Sequence, residues 1–137
     1  MEFPGPNASV EDFKRVLKAV RDDTKVKPAT WQLWHKMLRC HYAMPSHRIT
    51  AEQMAEKNDM SHFVEANGAY GKFAHEVANR LHFVPAPRPS GDRGPMWWLT
   101  FSTGSQGDDR GSKFELTMRP ELVAALEQMR WVTPNQP

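Results

Sequence analysis

The chain has 137 residues and a formal net charge of +2, with 18 Lys+Arg against 16 Asp+Glu. That length makes one domain the expectation and supplies a real core, while the near balance of charge confines any nucleic-acid surface to a local patch. The single cysteine, Cys40, excludes an internal disulfide and a cysteine metal quartet, and no stretch approaches the ~20 apolar residues of a membrane span.

Met1 to Ala8 holds Pro4, Gly5 and Pro6 and is expected to be loose. No cationic start leads into an apolar run, so no signal peptide is expected and the location reads as cytoplasmic. Ser9 can cap a first helix, with Glu11 and Asp12 in its first turn, where the helix dipole favours anions. Phe13, Val16, Leu17 and Val20 follow at helical spacing. A charged link from Arg21 to Lys27 closes at Pro28.

A second helix is predicted from Thr30, with Trp31, Trp34, Met37, Leu38 and His41 on one face and Pro45 as its stop. Thr50-Ala51-Glu52-Gln53 has the form of a capping box and opens a short third helix with Met54 and Ala55 inward. Asn58-Asp59 turns the chain into a longer helix from about Val64 to Leu81. Its apolar side is Ala66, Tyr70, Phe73, Val77 and Leu81; its polar side carries Asn67, Gly71, Lys72, His75 and Asn79. Short helix, turn and longer helix resemble a helix-turn-helix.

Val84 to Pro95 reads as a connector containing Arg88 and Arg93. From Trp97 to Thr103 the alternation of Trp97, Leu99 and Phe101 with Trp98, Thr100 and Ser102 has the period of a strand. Gly104 to Gly111 is a tip, and Lys113 to Met118 a returning strand with Phe114, Leu116 and Met118 inward. Pro120 suits the first turn of a last helix, striped by Leu122, Val123, Leu126 and Met129. The expected fold is therefore α+β and mostly helical: winged-helix-like, with a C-terminal β-hairpin and an extra N-terminal helix. The expected division is an extension over 1–29, the winged-helix-like domain over 30–132 and a tail over 133–137.

The chemistry of catalysis is thin. The six histidines are scattered, and none stands with Cys or Glu at zinc-ligand spacing. There is no GxGxxG, GxxxxGK[ST] or GxSxG, and Cys40 reads as a buried or half-buried structural thiol. The expectation is a binding module that is not an enzyme and takes no cofactor and no metal.

Two places suggest recognition. The first is the polar side of the long helix: Asn67, Lys72, His75 and Asn79 are polar or basic, Asn can bond adenine bidentately, and Gly68 and Gly71 admit close approach of DNA or of another helix. The second is Trp98, which strand alternation places opposite a core Trp97, either free to stack on a base or covered by the Ser9–Asp22 helix. Asp108 and Asp109 at the tip count against a simple DNA wing, because like charges near phosphate weaken binding. The basic candidates are Lys36, Arg39, His47, Arg48, Lys57, Lys72, Arg80, Arg88 and Arg93. The expected DNA-binding set is Arg48, Asn67, Lys72, His75, Asn79 and Trp98.

The runs HYAMPSHRITAEQMAE (His41 to Glu56), ANGAYGK (Ala66 to Lys72) and PMWWLTFSTG (Pro95 to Gly104) form a set. Met118-Arg119-Pro120-Glu121-Leu122 and the closing Trp131-Val132 complete it. Together, over about Thr30 to Val132, they resemble a small bacterial domain found ahead of HNH nuclease domains in restriction-type proteins, and also alone. The resemblance implies target recognition on duplex DNA, modified DNA included. No HNH part follows here, so nuclease activity is not implied, and the helix before Thr30 is foreign to the family. A second expectation is a protein-binding module of phage or mobile-element origin that blocks a host defence complex, motivated by the near-neutral charge and the acidic tip.

Overall fold

Ser9 does cap the first helix, α1 (Val10–Asp22). Its hydroxyl accepts from the Asp12 amide at 3.1 Å, and the Asp12 carboxylate accepts from the Ser9 amide at 2.9 Å. The computed structural model describes residues 4–87, 95–104 and 114–134. Arg88, Arg93 and most of the acidic tip, with Asp108 and Asp109, lie outside the described residues.

The second helix, α2, spans Pro28–Ala43 and starts two residues before the expected Thr30. Pro28 opens it instead of closing the link: at the first helical position the missing N–H is not needed. A turn then leads into β1 (Arg48–Thr50), a strand too short to show a period in sequence. The Thr50 capping box forms as expected, with Thr50 and Gln53 exchanging bonds of 3.0 and 3.1 Å, and starts α3 (Ala51–Lys57). The long helix, α4, runs Phe63–Leu81 and ends in a left-handed His82.

The expected strand over Trp97–Thr103 is corrected by the structure. Trp97–Thr100 forms a 3-10 turn, and only Ser102–Gly104 is extended, as β2. Successive side chains in such a turn diverge by about 120°, which sends these rings to different partners. Trp97 stacks on His75, Trp98 packs on Phe114, and Phe101 meets Tyr70 and Phe73. Strand alternation would have put Trp97 and Phe101 on one face. β3 (Glu115–Met118) pairs antiparallel with both β1 and β2, giving the sheet order β1-β3-β2. The chain then closes with α5 (Pro120–Gln128).

The described residues thus form an α+β fold of five α-helices and a small three-stranded antiparallel sheet. Its core is aromatic at the centre: Trp34 lies flat on Phe73 at 5.0 Å between ring centres, and Phe73 meets Phe101 edge-on, also at 5.0 Å. Phe13, Val16, Leu17 and Val20 of α1 belong to the same cluster, and α1 packs mainly on α5 and α4. Leu81, expected in the core beside Phe73 and Val77, is only half-buried, packed against the edge of the cluster at the last residue of α4. Cys40 is half-buried and free. No described helix is long and apolar enough to cross a membrane.

Candidate nucleic-acid interface

α4 buries Ala66, Tyr70, Phe73, Ala74, Val77 and Ala78. At 3.6 residues per turn, that fixes the opposite side of the helix on Gly68, Lys72, His75 and Asn79. A shallow cleft of about 270 Å³ runs along this side, lined by Lys72, His75, Glu76 and Asn79 of α4 and by Trp34 of α2. Lys72 and Asn79 are exposed, and among the described residues neither has a hydrogen bond or ion pair within the chain. Glu76 is drawn toward Arg80, 3.9 Å away. Arg80 in turn is paired with Asp23, tying the C-terminal end of α4 to the link after α1.

His75 is held by a ring stack. Its imidazole lies parallel to the Trp97 indole, 3.7 Å between ring centres and 12° between planes. Trp97 therefore sits at the periphery, half-buried, and not in the core where alternation placed it. The stack leaves the ring nitrogens of His75 without a hydrogen-bond partner among the described residues.

Three of the six expected DNA-contacting residues, Lys72, His75 and Asn79, therefore come together. Asn67 is exposed but lies about 120–140° around the helix from Lys72 and Asn79, off their ridge. Arg48 is on β1, half-exposed and 3.9 Å from Glu115 across the sheet. Trp98 is half-buried over the hairpin: its ring centre is 5.0 Å from that of Phe114. A β-carbon on Gly104 would stand 2.6 Å from its indole. The hairpin itself, and not the Ser9–Asp22 helix, supplies these contacts. Trp34, Glu76 and Trp97 were not foreseen at the site. A helical projection of α4 would have found Glu76, one turn from Lys72; the other two come from elements whose docking leaves no mark in local sequence.

Gly68 and Gly71 have nothing within 4 Å of the position a β-carbon would take. Val64, one turn before Gly68, is 51% exposed. No group of three or more His, Cys, Asp and Glu side chains among the described residues could hold a metal ion.

Away from this face, His41, Tyr42 and His35 are held by hydrogen bonds or ring contacts within the fold. His41 is fully buried; its Nε2–H donates to the Leu116 carbonyl at 3.0 Å, and its Nδ1 accepts from the Tyr70 hydroxyl at 2.8 Å. Burial lowers its pKa to about 4, so it is neutral. Burial, helped by the neighbouring Glu127 carboxylate, pushes the Tyr42 phenol up to about 12; its hydroxyl donates to Glu127 at 2.6 Å. His35 is sandwiched flat on Trp31 and edge-on to Trp131, and desolvation there, with the Arg39 charge, lowers its pKa.

No protein-family model, curated protein or solved structure matches the chain.

Proposed function

We propose that this protein is a duplex-DNA-binding module of winged-helix type, a recognition protein and not an enzyme, that lays the outer side of α4 in the major groove. The observation that carries the reading is the free ridge of Lys72, His75 and Asn79 along the cleft of α4. These are donors and donor–acceptor groups of the kinds that read base edges and hold phosphates. The arrangement around them supports it. β1, the α3–α4 pair and the β2–β3 hairpin follow one another in the order of a winged helix. The sheet order β1-β3-β2 sets the hairpin next to the strand that precedes the helix pair. The kinship with restriction-type recognition domains, and modified bases as targets, belong to the same proposal.

Labelled duplexes with and without methylated bases, titrated at two salt concentrations, test it. Binding that weakens steeply with salt is expected, because phosphate contacts release counterions. Absence of binding at low salt to every duplex overturns it.

Val64 and the open glycines favour a second reading, a helix-docking surface for a protein partner such as a host defence complex. In that case a stoichiometric complex survives nuclease treatment and is lost on Gly71→Arg.

A further inference from the structure

Resting on the duplex-DNA reading, we infer that Trp97 is a positioning residue for His75, and that the His75 imidazole it holds reads a guanine in the major groove. The stack at 3.7 Å and 12° covers one face of the imidazole and fixes its plane. The ring also lines the open cleft beside Lys72 and Asn79. A side chain on a solvated helix face ordinarily samples several rotamers, and ordering one on binding costs free energy. Here that cost is met in the free protein.

The chemistry selects guanine. Imidazole N–H is a donor, and guanine presents two acceptors, N7 and O6, on its major-groove edge. Adenine offers only N7 as an acceptor on that edge, beside an amino group that repels an approaching N–H donor. Glu76, an acceptor when ionised, lines the same cleft and matches the amino donor of the paired cytosine. Lys72 and Asn79 are seven residues apart, or about 10 Å along the helix. That spans about three base steps at ~3.4 Å each. His75 lies between them, so its guanine is an interior pair of the roughly four base pairs that this stretch of helix spans.

Selection from a random duplex pool with the wild type, His75→Ala, Trp97→Leu and Trp97→Phe tests this, each variant first shown to fold by its melt. The wild type is expected to prefer guanine at one position by about tenfold, the ratio that one hydrogen bond of ~1.4 kcal/mol supports. His75→Ala and Trp97→Leu should each abolish that preference at that position alone. The double variant should be no worse than either, and Trp97→Phe, which keeps a stacking ring, should restore it. Trp97→Met gives the same information should the leucine variant not fold.

In the free protein, a His75 ring proton displaced upfield by the indole should return toward its ordinary position in Trp97→Leu. A purely structural Trp97 would weaken all sequences equally, and that outcome overturns the inference while leaving DNA binding intact. So does a guanine preference that survives in both His75→Ala and Trp97→Leu. A wild type that binds no duplex at low salt overturns the DNA reading and the inference together.

Discussion

His41 and Tyr70 meet in the core through a hydrogen bond of 2.8 Å, and the other imidazole nitrogen binds the Leu116 carbonyl. One ring thus joins α2, α4 and β3. The Tyr70 bond needs neutral imidazole, because a charged ring has no acceptor for the Tyr70 hydroxyl. The folded pKa is lowered, from 6.5 to about 4. Between those values the unfolded chain binds a proton that the folded one refuses. Stability from this group is therefore complete above about pH 6.5 and is lost as pH falls toward 4. The loss by pH 5 should be ~2 kcal/mol. Urea titrations at pH 7.5 and pH 5 should show it in the wild type and much less of it in His41→Gln. His35, whose pKa is also lowered, keeps a smaller remainder of the same sign. Equal pH dependence in both proteins would falsify the assignment.

Tyr70→Phe probes the same contact from the other side. It removes the donor and leaves His41 Nδ1 buried without a partner, which costs roughly 1–3 kcal/mol. The phenylalanine ring still fills the space against Phe101, 5.5 Å away in the native pair. A melt unchanged from the wild type would mean that water or another group satisfies the imidazole.

Gly104 has no room for a side chain. Its β-carbon would lie 2.6 Å from the Trp98 indole and 2.7 Å from the Phe114 ring, both far inside contact distance. Gly104→Ala should therefore destabilise by roughly 1–3 kcal/mol, as overpacking does. Trp98→Ala in that background should recover part of the loss by removing the ring in the way. Thermal melts of the two single variants and the double decide it, and additive losses would place Trp98 elsewhere.

Much of this fold is written locally. The Ser9 and Thr50 capping boxes, Pro120 at the start of α5 and the apolar side of α4 are set by neighbours within one helical turn. The failures were non-local. β1 is three residues long and owes its extension to pairing with β3, more than sixty positions away. The Trp97–Thr100 turn looked like a strand because bulky residues alternate there; what decides it is the aromatic surface of α4, which no window around Trp97 contains. The candidate site divides along the same line. Lys72, His75 and Asn79 share a ridge by helical period alone, and Asn67 drops out by the same arithmetic. Trp34 and Trp97 arrive by tertiary docking.

The ridge separates two kinds of binding variant. Lys72→Ala should weaken duplex binding alike for all sequences and lower the salt slope by about one, as loss of one phosphate contact does. Asn79→Ala should change preference at one position by about 1–3 kcal/mol if its amide pairs with adenine. Asn67→Ala, off the ridge, should bind like the wild type. A titration series at several salt concentrations checks all three, and an Asn67 effect as large as that of Asn79 would rotate the interface around α4.

Gly68 gives the sharpest separation of folding from binding. It lies in the solvated part of a long helix, and nothing approaches within 4 Å of its missing side chain. Glycine at such a position costs the helix about 0.5–1 kcal/mol relative to alanine. No internal contact of the described residues compensates, so Gly68→Ala should raise stability by that amount. The glycine lies on the outer side of α4, one turn before Lys72. If a partner's backbone comes close there, the added methyl stands between the helix and that partner. The same variant should then bind more weakly although it folds more stably. A melt and a binding isotherm on one preparation measure both. Higher stability with unchanged affinity would show that the glycine is not approached, and lower stability would show that the helix is not open at this point.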